Sequence, residues 1–116
     1  MHSHQAFFYL NKDLSNSALL EFEEGLETLI NIPLVLSGYY GKPANTNRAV
    51  VDNAYSYGLT LIFKDIADHN LYQAHQIHQV FVDKNATKWL RVLVFDVEIQ
   101  LQSLKRYPPD TFKTEK

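Results

Sequence analysis

Four segments of the chain have the length and the residue types of β-strands, and their order limits the possible folds most strongly. They are rich in aromatic and branched apolar residues and span residues 5–10, 34–42, 55–63 and 89–99. The third pattern is the clearest, because large apolar residues fall at every second position from Tyr57 to Phe63. This period of two is typical of a strand with one buried face.

Two helical patterns lie between these strands. The first follows Ser15 or Ser17, either of which can cap a helix, and ends before Pro33. The second follows the capping residue Asp65 and runs over about residues 66–85. The order strand, helix, strand, strand, helix, strand predicts an α+β, ferredoxin-like fold. Such a fold has a four-stranded antiparallel sheet with both helices on one face.

The last strand is apolar on both of its sides. The two alternating sets are Leu93, Phe95, Val97 and Ile99 on one side and Leu90, Val92 and Val94 on the other. Two helices cover only one face of the sheet, and monomers rarely leave a large apolar face exposed to water. The pattern therefore predicts a homodimer in which the sheet of one copy packs against the sheet of another.

The composition and charge of the chain argue against several classes of protein. At 116 residues the chain has room for one domain, expected at residues 1–103, followed by a polar tail at residues 104–116. Its 11 basic and 13 acidic residues form no basic patch, so we expect no nucleic-acid partner. No apolar run is long enough for a membrane span, and the first residues lack a signal-peptide pattern. The chain has no cysteine, which excludes disulfides and thiolate metal sites, and we expect a cytoplasmic protein.

Three of the five histidines lie in one helical segment with a tyrosine, at steps of three: His69, Tyr72, His75 and His78. On a helix of 100° per residue these side chains spiral around the axis, so one metal ion cannot collect all four. His75 and His78 are neighbours, but no carboxylate accompanies them within a turn. We therefore expect neither a metal nor another cofactor, and nothing else in the sequence supports a haem with His75 or His78 as its axial ligand.

A wheel drawn for one continuous helix places His78 inside the apolar face and His75 at its edge, with His69 on the polar side. Two interpretations of His78 follow. It is either a core histidine whose nitrogens are bonded internally, or a general base that lines a cavity between helices and sheet. Periodicity alone favours the core histidine.

Several short stretches share their residues, order and spacing with one known family. They are His4, YYGKP at residues 39–43, VDN at residues 51–53, YQAH at residues 72–75, His78 with VFV at residues 80–82, and WLRVLVFDVE at residues 89–98. In these stretches the chain resembles the stress-responsive A/B barrel domain (Dabb) family, a branch of the dimeric α/β barrel superfamily. The resemblance implies a ferredoxin-like subunit whose sheet packs on that of a second copy to form a barrel.

The family has no common assigned reaction, but one plant member, olivetolic acid cyclase, closes a polyketide chain without cofactor or metal. The resemblance places its catalytic tyrosine and histidine on Tyr72 and His78. It further implies that His4, Tyr57 and His75 line or shape the cavity. The cyclase has a histidine where this chain has Tyr57, so the chemistry of the cavity need not be the same.

A second departure is Gln76, because the family usually has a proline there that divides the region into two short helices. If that break persists at His75 and Gln76, the single-helix wheel holds only within each half.

Two functions remain open from the sequence. The first is a small stress-associated homodimer that has no catalytic activity or binds a small hydrophobic ligand. The alternative is a cofactor-free cyclase or lyase for a small, polyketide-like carbonyl substrate, with His78 as base and Tyr72 as donor to the oxyanion. The enzyme requires a cavity that reaches both residues from solvent, whereas a packing pair is sealed.

Overall fold

The computed structural model describes residues 1–105 and has the predicted order of strands and helices. The strands are β1 (His2–Leu10), β2 (Ser37–Gly41), β3 (Tyr57–Phe63) and β4 (Trp89–Glu98). The helices are α1 (Asn16–Ile30), α2 (Ile66–Gln73) and α3 (Gln76–Asn85). The sheet order is β2-β3-β1-β4 with every neighbouring pair antiparallel, which confirms the α+β, ferredoxin-like fold.

All four strands differ at one or both ends from the sequence prediction, by one to three residues, and β1 and β2 differ most. β1 begins at His2 rather than Gln5, because the backbone from His2 to His4 pairs with β3 on one edge and β4 on the other. Backbone pairing of this kind does not require apolar side chains. β2 begins at Ser37 rather than Leu34, since the chain still turns after α1: the amide of Val35 donates to the carbonyl of Ile32 over 2.9 Å.

The second helical segment is two helices, so the family's break persists although Gln76 replaces proline. His75 has an extended backbone with φ −67° and ψ 143°, and its Nδ1 accepts a hydrogen bond from the amide of Ile77 over 3.0 Å. A side-chain acceptor at this position satisfies one of the free amides at the start of a helix. His75 thus starts α3 by capping it, and each half of the segment has its own buried face.

The core lies between the helices and one face of the sheet. α1 contributes its apolar stripe, whose fully buried members are Phe22, Leu26 and Leu29. β3 contributes the alternating side chains from Tyr57 to Phe63 that its sequence period predicted. Ser15 caps α1 by accepting from the amide of Ala18 over 3.1 Å.

The opposite face of the sheet is apolar and uncovered within the single chain. Tyr39, Phe95 and Val97 on this face are 64%, 49% and 47% exposed. Phe7 lies beside Phe95 there, with ring centroids 6.3 Å apart.

Among residues 1–105, no helix has the length and apolar character that crossing a membrane requires. The polar tail expected at residues 104–116 lies outside the described residues from position 106 onward.

Candidate functional site

A cavity of about 180 Å³ lies between the sheet and the pair α2–α3. Its lining residues are His4, Ala6, Phe8, Leu29, Leu59, Tyr72, Gln73, His78, Phe81, Val82, Trp89, Val92 and Val94. The walls are largely apolar, and most of their polar groups belong to His4 on β1, Tyr72 on α2 and His78 on α3. Gln73 and Val94 are exposed, so the cavity opens to solvent at its rim.

The break between α2 and α3 brings Tyr72 and His78 into this cavity together. On one continuous helix, six residues at 100° each would turn their side chains about 120° apart. In the structure the His78 ring meets the Tyr72 ring edge to face, with centroids 5.0 Å apart and planes at 73°. The sequence resemblance implies these two residues as a catalytic pair, and the fold makes them neighbours.

Both members of the pair are neutral at neutral pH. Burial raises the pKa of Tyr72 above its ordinary value, so the phenol keeps its proton. Burial, and then the nearby charge of His4, lower the pKa of His78. Nδ1 of His78 is buried without a hydrogen-bond partner among the described residues. The site therefore holds one hydroxyl donor and one neutral imidazole with an unused nitrogen.

His4 is oriented by Asp96, a residue that sequence reasoning did not single out. Nδ1 of His4 lies 2.6 Å from Oδ1 of Asp96, across the register that pairs β1 with β4. Burial acts to raise the pKa of Asp96, but the hydrogen bond from His4 and the neighbouring histidines lower it overall. The sequence contained one indication of this position. Asp96 follows Val92 and Val94 at every second residue of β4, and this set of side chains faces the helices.

Two residues expected in the cavity lie outside it. Tyr57 is buried elsewhere in the core, where its hydroxyl donates to Oε2 of Glu23 over 2.5 Å. Its side chain faces α1 and not the cavity, and its ring packs on that of Phe22 with centroids 5.3 Å apart. His75 is half-buried at the junction of the two helices and uses Nδ1 to cap α3.

His69 is buried, contrary to the polar position that the single-helix wheel predicted. α2 ends at Gln73, and the inner face of this short helix is formed by His69 and Tyr72. Leu71, which the wheel placed on the core face, is 58% exposed. The ring of His69 packs on those of His2 and His4, with centroid distances of 4.6 and 4.4 Å.

The sequence profile of the Stress Responsive A/B Barrel Domain matches residues 3–99. The chain belongs to this family. The match covers all four strands except His2, the first residue of β1, and it includes His4, Tyr72, His78 and Asp96. No curated protein matches this A/B barrel protein in sequence.

Solved structures resemble the A/B barrel protein over most of its length. A protein of Arabidopsis thaliana is 20% identical, with 91% of this chain and all of that chain covered and a TM-score of 0.73. The hydroxynitrile lyase from Passiflora edulis is 16% identical over 92% of this chain and 96% of its own, with a TM-score of 0.71. A protein of unknown function from Thermobifida fusca, described as dimeric and ferredoxin-like, is 15% identical over 84% and 90%, with a TM-score of 0.69. At these identities the likeness shows a shared fold.

Proposed function

We propose that this A/B barrel protein binds a small carbonyl compound in the cavity and catalyses a cofactor-free proton transfer on it. The observation that carries the proposal is that Tyr72 and His78 line one solvent-open cavity while each keeps hydrogen-bonding capacity unused. A buried polar group without a partner is costly in a core, but it is useful where a ligand supplies the partner.

The two side chains suit the two halves of enolate formation. Neutral His78 accepts the proton from the carbon next to the carbonyl. The electron pair of the broken C–H bond forms the carbon–carbon double bond of the enolate, and the π pair of the carbonyl moves to its oxygen. The hydroxyl of Tyr72 stays protonated and donates a hydrogen bond to the oxygen as its negative charge develops. His4, fixed by Asp96, forms the adjacent wall and limits how the carbonyl compound can lie.

The dimensions of the cavity indicate the substrate class. A volume of about 180 Å³ is below the roughly 300–1,000 Å³ of pockets for drug-sized ligands. The apolar lining excludes sugars and highly charged metabolites, because their polar groups would lose hydration without finding partners. The similarly folded hydroxynitrile lyase from Passiflora edulis supports the proposal, since its name describes a lyase for a small substrate on the same fold.

The exposed apolar face of the sheet supports a homodimer, formed sheet to sheet as the sequence predicts. Its large exposed side chains include Tyr39, Phe95 and Val97, and a similarly folded protein is described as dimeric. Burying this face removes it from water without covering the cavity, which lies on the helix side. We also propose a cytoplasmic location, which accords with the absence of cysteine.

The direct test is hydrogen exchange at the carbon next to the carbonyl of cyclohexanone in D₂O, followed by proton NMR. We expect the protein to accelerate exchange by about 10²–10⁴-fold over buffer, and we expect His78→Gln to remove most of that acceleration. His75→Asn is the matched control, because His75 lies outside the cavity and asparagine retains a capping acceptor. Cyclohexanone that perturbs the NMR signals of cavity residues without exchanging would support a ligand-binding dimer instead. Absence of both effects for cyclohexanone and smaller ketones would contradict the proposal.

A further inference from the structure

Next to the cavity, His2, His69 and Asp96 converge from three different elements. His2 lies at the start of β1, His69 lies on α2 and Asp96 lies near the end of β4. One ligand atom from each of the three lies within 4.8 Å of the other two. None of these residues takes part in the proposed proton transfer, so their convergence needs its own explanation.

Two histidine nitrogens in this cluster are buried without partners. His2 and His69 are 7% and 5% exposed, and neither Nε2 of His2 nor Nδ1 of His69 has a hydrogen-bond partner among the described residues. Nε2 of His2 lies 3.4 Å from Oδ1 of Asp96, which is within ion-pair distance but too long for a good hydrogen bond. Buried polar atoms normally have hydrogen-bond partners, so two unpartnered nitrogens in one cluster are unusual.

The same 3.4 Å separation suits two ligands of one metal ion. Ligands that lie about 2.0–2.1 Å from a tetrahedral zinc ion are roughly 3.3–3.4 Å apart. The rings of His2 and His69 are stacked, with centroids 4.6 Å apart and planes at 26°, so both rings must turn to direct a nitrogen at one ion. Two imidazoles and a carboxylate are the borderline donors that zinc and similar divalent transition metals prefer.

Neighbouring side chains orient two members of the cluster. Nδ1 of His4 lies 2.6 Å from Oδ1 of Asp96, which is the kind of supporting hydrogen bond that orients metal ligands. Nε2 of His69 lies 3.0 Å from Nε2 of Gln73. Because a neutral imidazole has one lone pair, an ion at Nδ1 of His69 requires the amide of Gln73 to turn and accept from Nε2–H through its oxygen.

The cluster is also reachable from solvent. A surface recess of about 440 Å³ is lined by Met1, His2, Asp65, Ile66, Asp96 and Glu98. The side chain of Asp96 is 43% exposed at this recess. An ion can therefore enter from the surface, and a water molecule can complete its coordination.

We propose that His2, His69 and Asp96 form a binding site for one divalent transition-metal ion of the zinc type, separate from the Tyr72–His78 pair. The site differs from a metal site formed by the histidines of residues 69–78, because only His69 belongs to that segment. Asp96 joins the two regions, since its Oδ1 lies 3.4 Å from Nε2 of His2 and 2.6 Å from Nδ1 of the cavity residue His4.

The test is a zinc titration of the full chain without an affinity tag, after removal of metal by chelation. Competition with a chromophoric chelator should give one zinc ion per chain with a Kd below about 1 μM. We expect His69→Gln and Asp96→Asn each to weaken binding at least about 10-fold, as loss of a ligand group does. His75→Asn, which changes a histidine outside the cluster, should bind as tightly as the wild type.

A second measurement on the wild-type protein does not depend on the folding of a variant. Zinc should shift the ring nitrogen signals of His2 and His69 in a nitrogen-15 NMR spectrum and leave those of His75 in place. Absence of stoichiometric zinc binding would overturn the proposal. So would binding that His69→Gln leaves intact, or zinc-induced shifts confined to His75 and His78.

Discussion

The ring of His78 stands edge to face against the ring of Tyr72, with centroids 5.0 Å apart, although the two residues belong to different helices. Aromatic pairs favour this geometry, so it holds both rings in place at the cavity wall. The hydroxyl of Tyr72 and Nδ1 of His78 have no hydrogen-bond partner among the described residues. Removing the hydroxyl while keeping the ring therefore separates chemistry from packing.

Tyr72→Phe should leave the free energy of unfolding nearly unchanged but lower the rate of ketone hydrogen exchange at least about 10-fold. The hydroxyl of Tyr72 has no hydrogen-bond partner among the described residues, so its removal costs the fold little. The matched variant Tyr57→Phe should do the opposite, because the hydroxyl of Tyr57 donates to Glu23. We expect it to lose about 1 kcal/mol of stability and to keep the exchange activity. Urea unfolding and the exchange assay on both variants check this, and equal effects of the two changes would contradict it.

Stability should fall as the solution is acidified below about pH 6.5, the ordinary pKa of histidine. Because burial lowers the pKa of His78 in the folded state, the unfolded chain takes up a proton first as the pH falls. The stability from neutral His78 is present above about pH 6.5 and is lost as the pH drops through the lowered folded pKa. The slope from one such group is at most about 1.4 kcal/mol per pH unit.

Urea unfolding between pH 7.5 and pH 4.5 measures this dependence. His78→Gln should reduce the slope, since glutamine has no proton to take up. His75→Asn should leave the slope as it is in the wild type. A slope that His78→Gln does not change would show that the ring of His78 is as easily protonated in the folded as in the unfolded state.

Phe95→Glu should convert the proposed dimer into a monomer. Phe95 lies on the uncovered sheet face, where a buried carboxylate in a sheet-to-sheet contact would lack a partner. Leu71→Glu is the matched control, because Leu71 is also a large apolar residue but is exposed on the helix side. Sedimentation equilibrium should give twice the chain mass for the wild type and for Leu71→Glu, and the chain mass for Phe95→Glu. A monomeric wild type at micromolar concentration would contradict the dimer.

The helix break should depend on the side chain of His75. His75→Ala removes the acceptor for the amide of Ile77, and we expect a loss of about 1 kcal/mol in stability. His75→Asn should recover most of that loss, because asparagine is a favourable capping residue. Chemical unfolding of both variants checks the prediction, and equal stability of the two would show that another contact makes the break.

The fold was predictable because its signals are local. The alternation from Tyr57 to Phe63 and the apolar stripe of α1 each lie within one element and match the structure. Of the two caps that the sequence left open, Ser15 and Ser17, the structure uses Ser15. The position of His69 was not predictable from the same patterns. The helical wheel assumed one continuous helix. Because the break at His75 gives α2 its own orientation, the buried face of α2 differs from the face that the wheel predicted.

The site was predictable only where the family resemblance supplied it. Tyr72, His78 and His4 do meet in one cavity, while Tyr57 and His75 do not. Asp96 is 92 residues from His4 in sequence, and their contact depends on the register between β1 and β4. Neither composition nor a helical wheel carries information on that register.

β1 is the inner strand that carries both His2 and His4, and its two edges are bonded to β3 and β4. Its histidines thus sit on backbone that can move only if sheet hydrogen bonds break, which normally means global unfolding. The opposite wall, α2 and α3, rests on the sheet through side-chain packing and is divided at His75. We therefore expect a ligand to enter and leave through small movements of these two short helices relative to the sheet, which stays fixed.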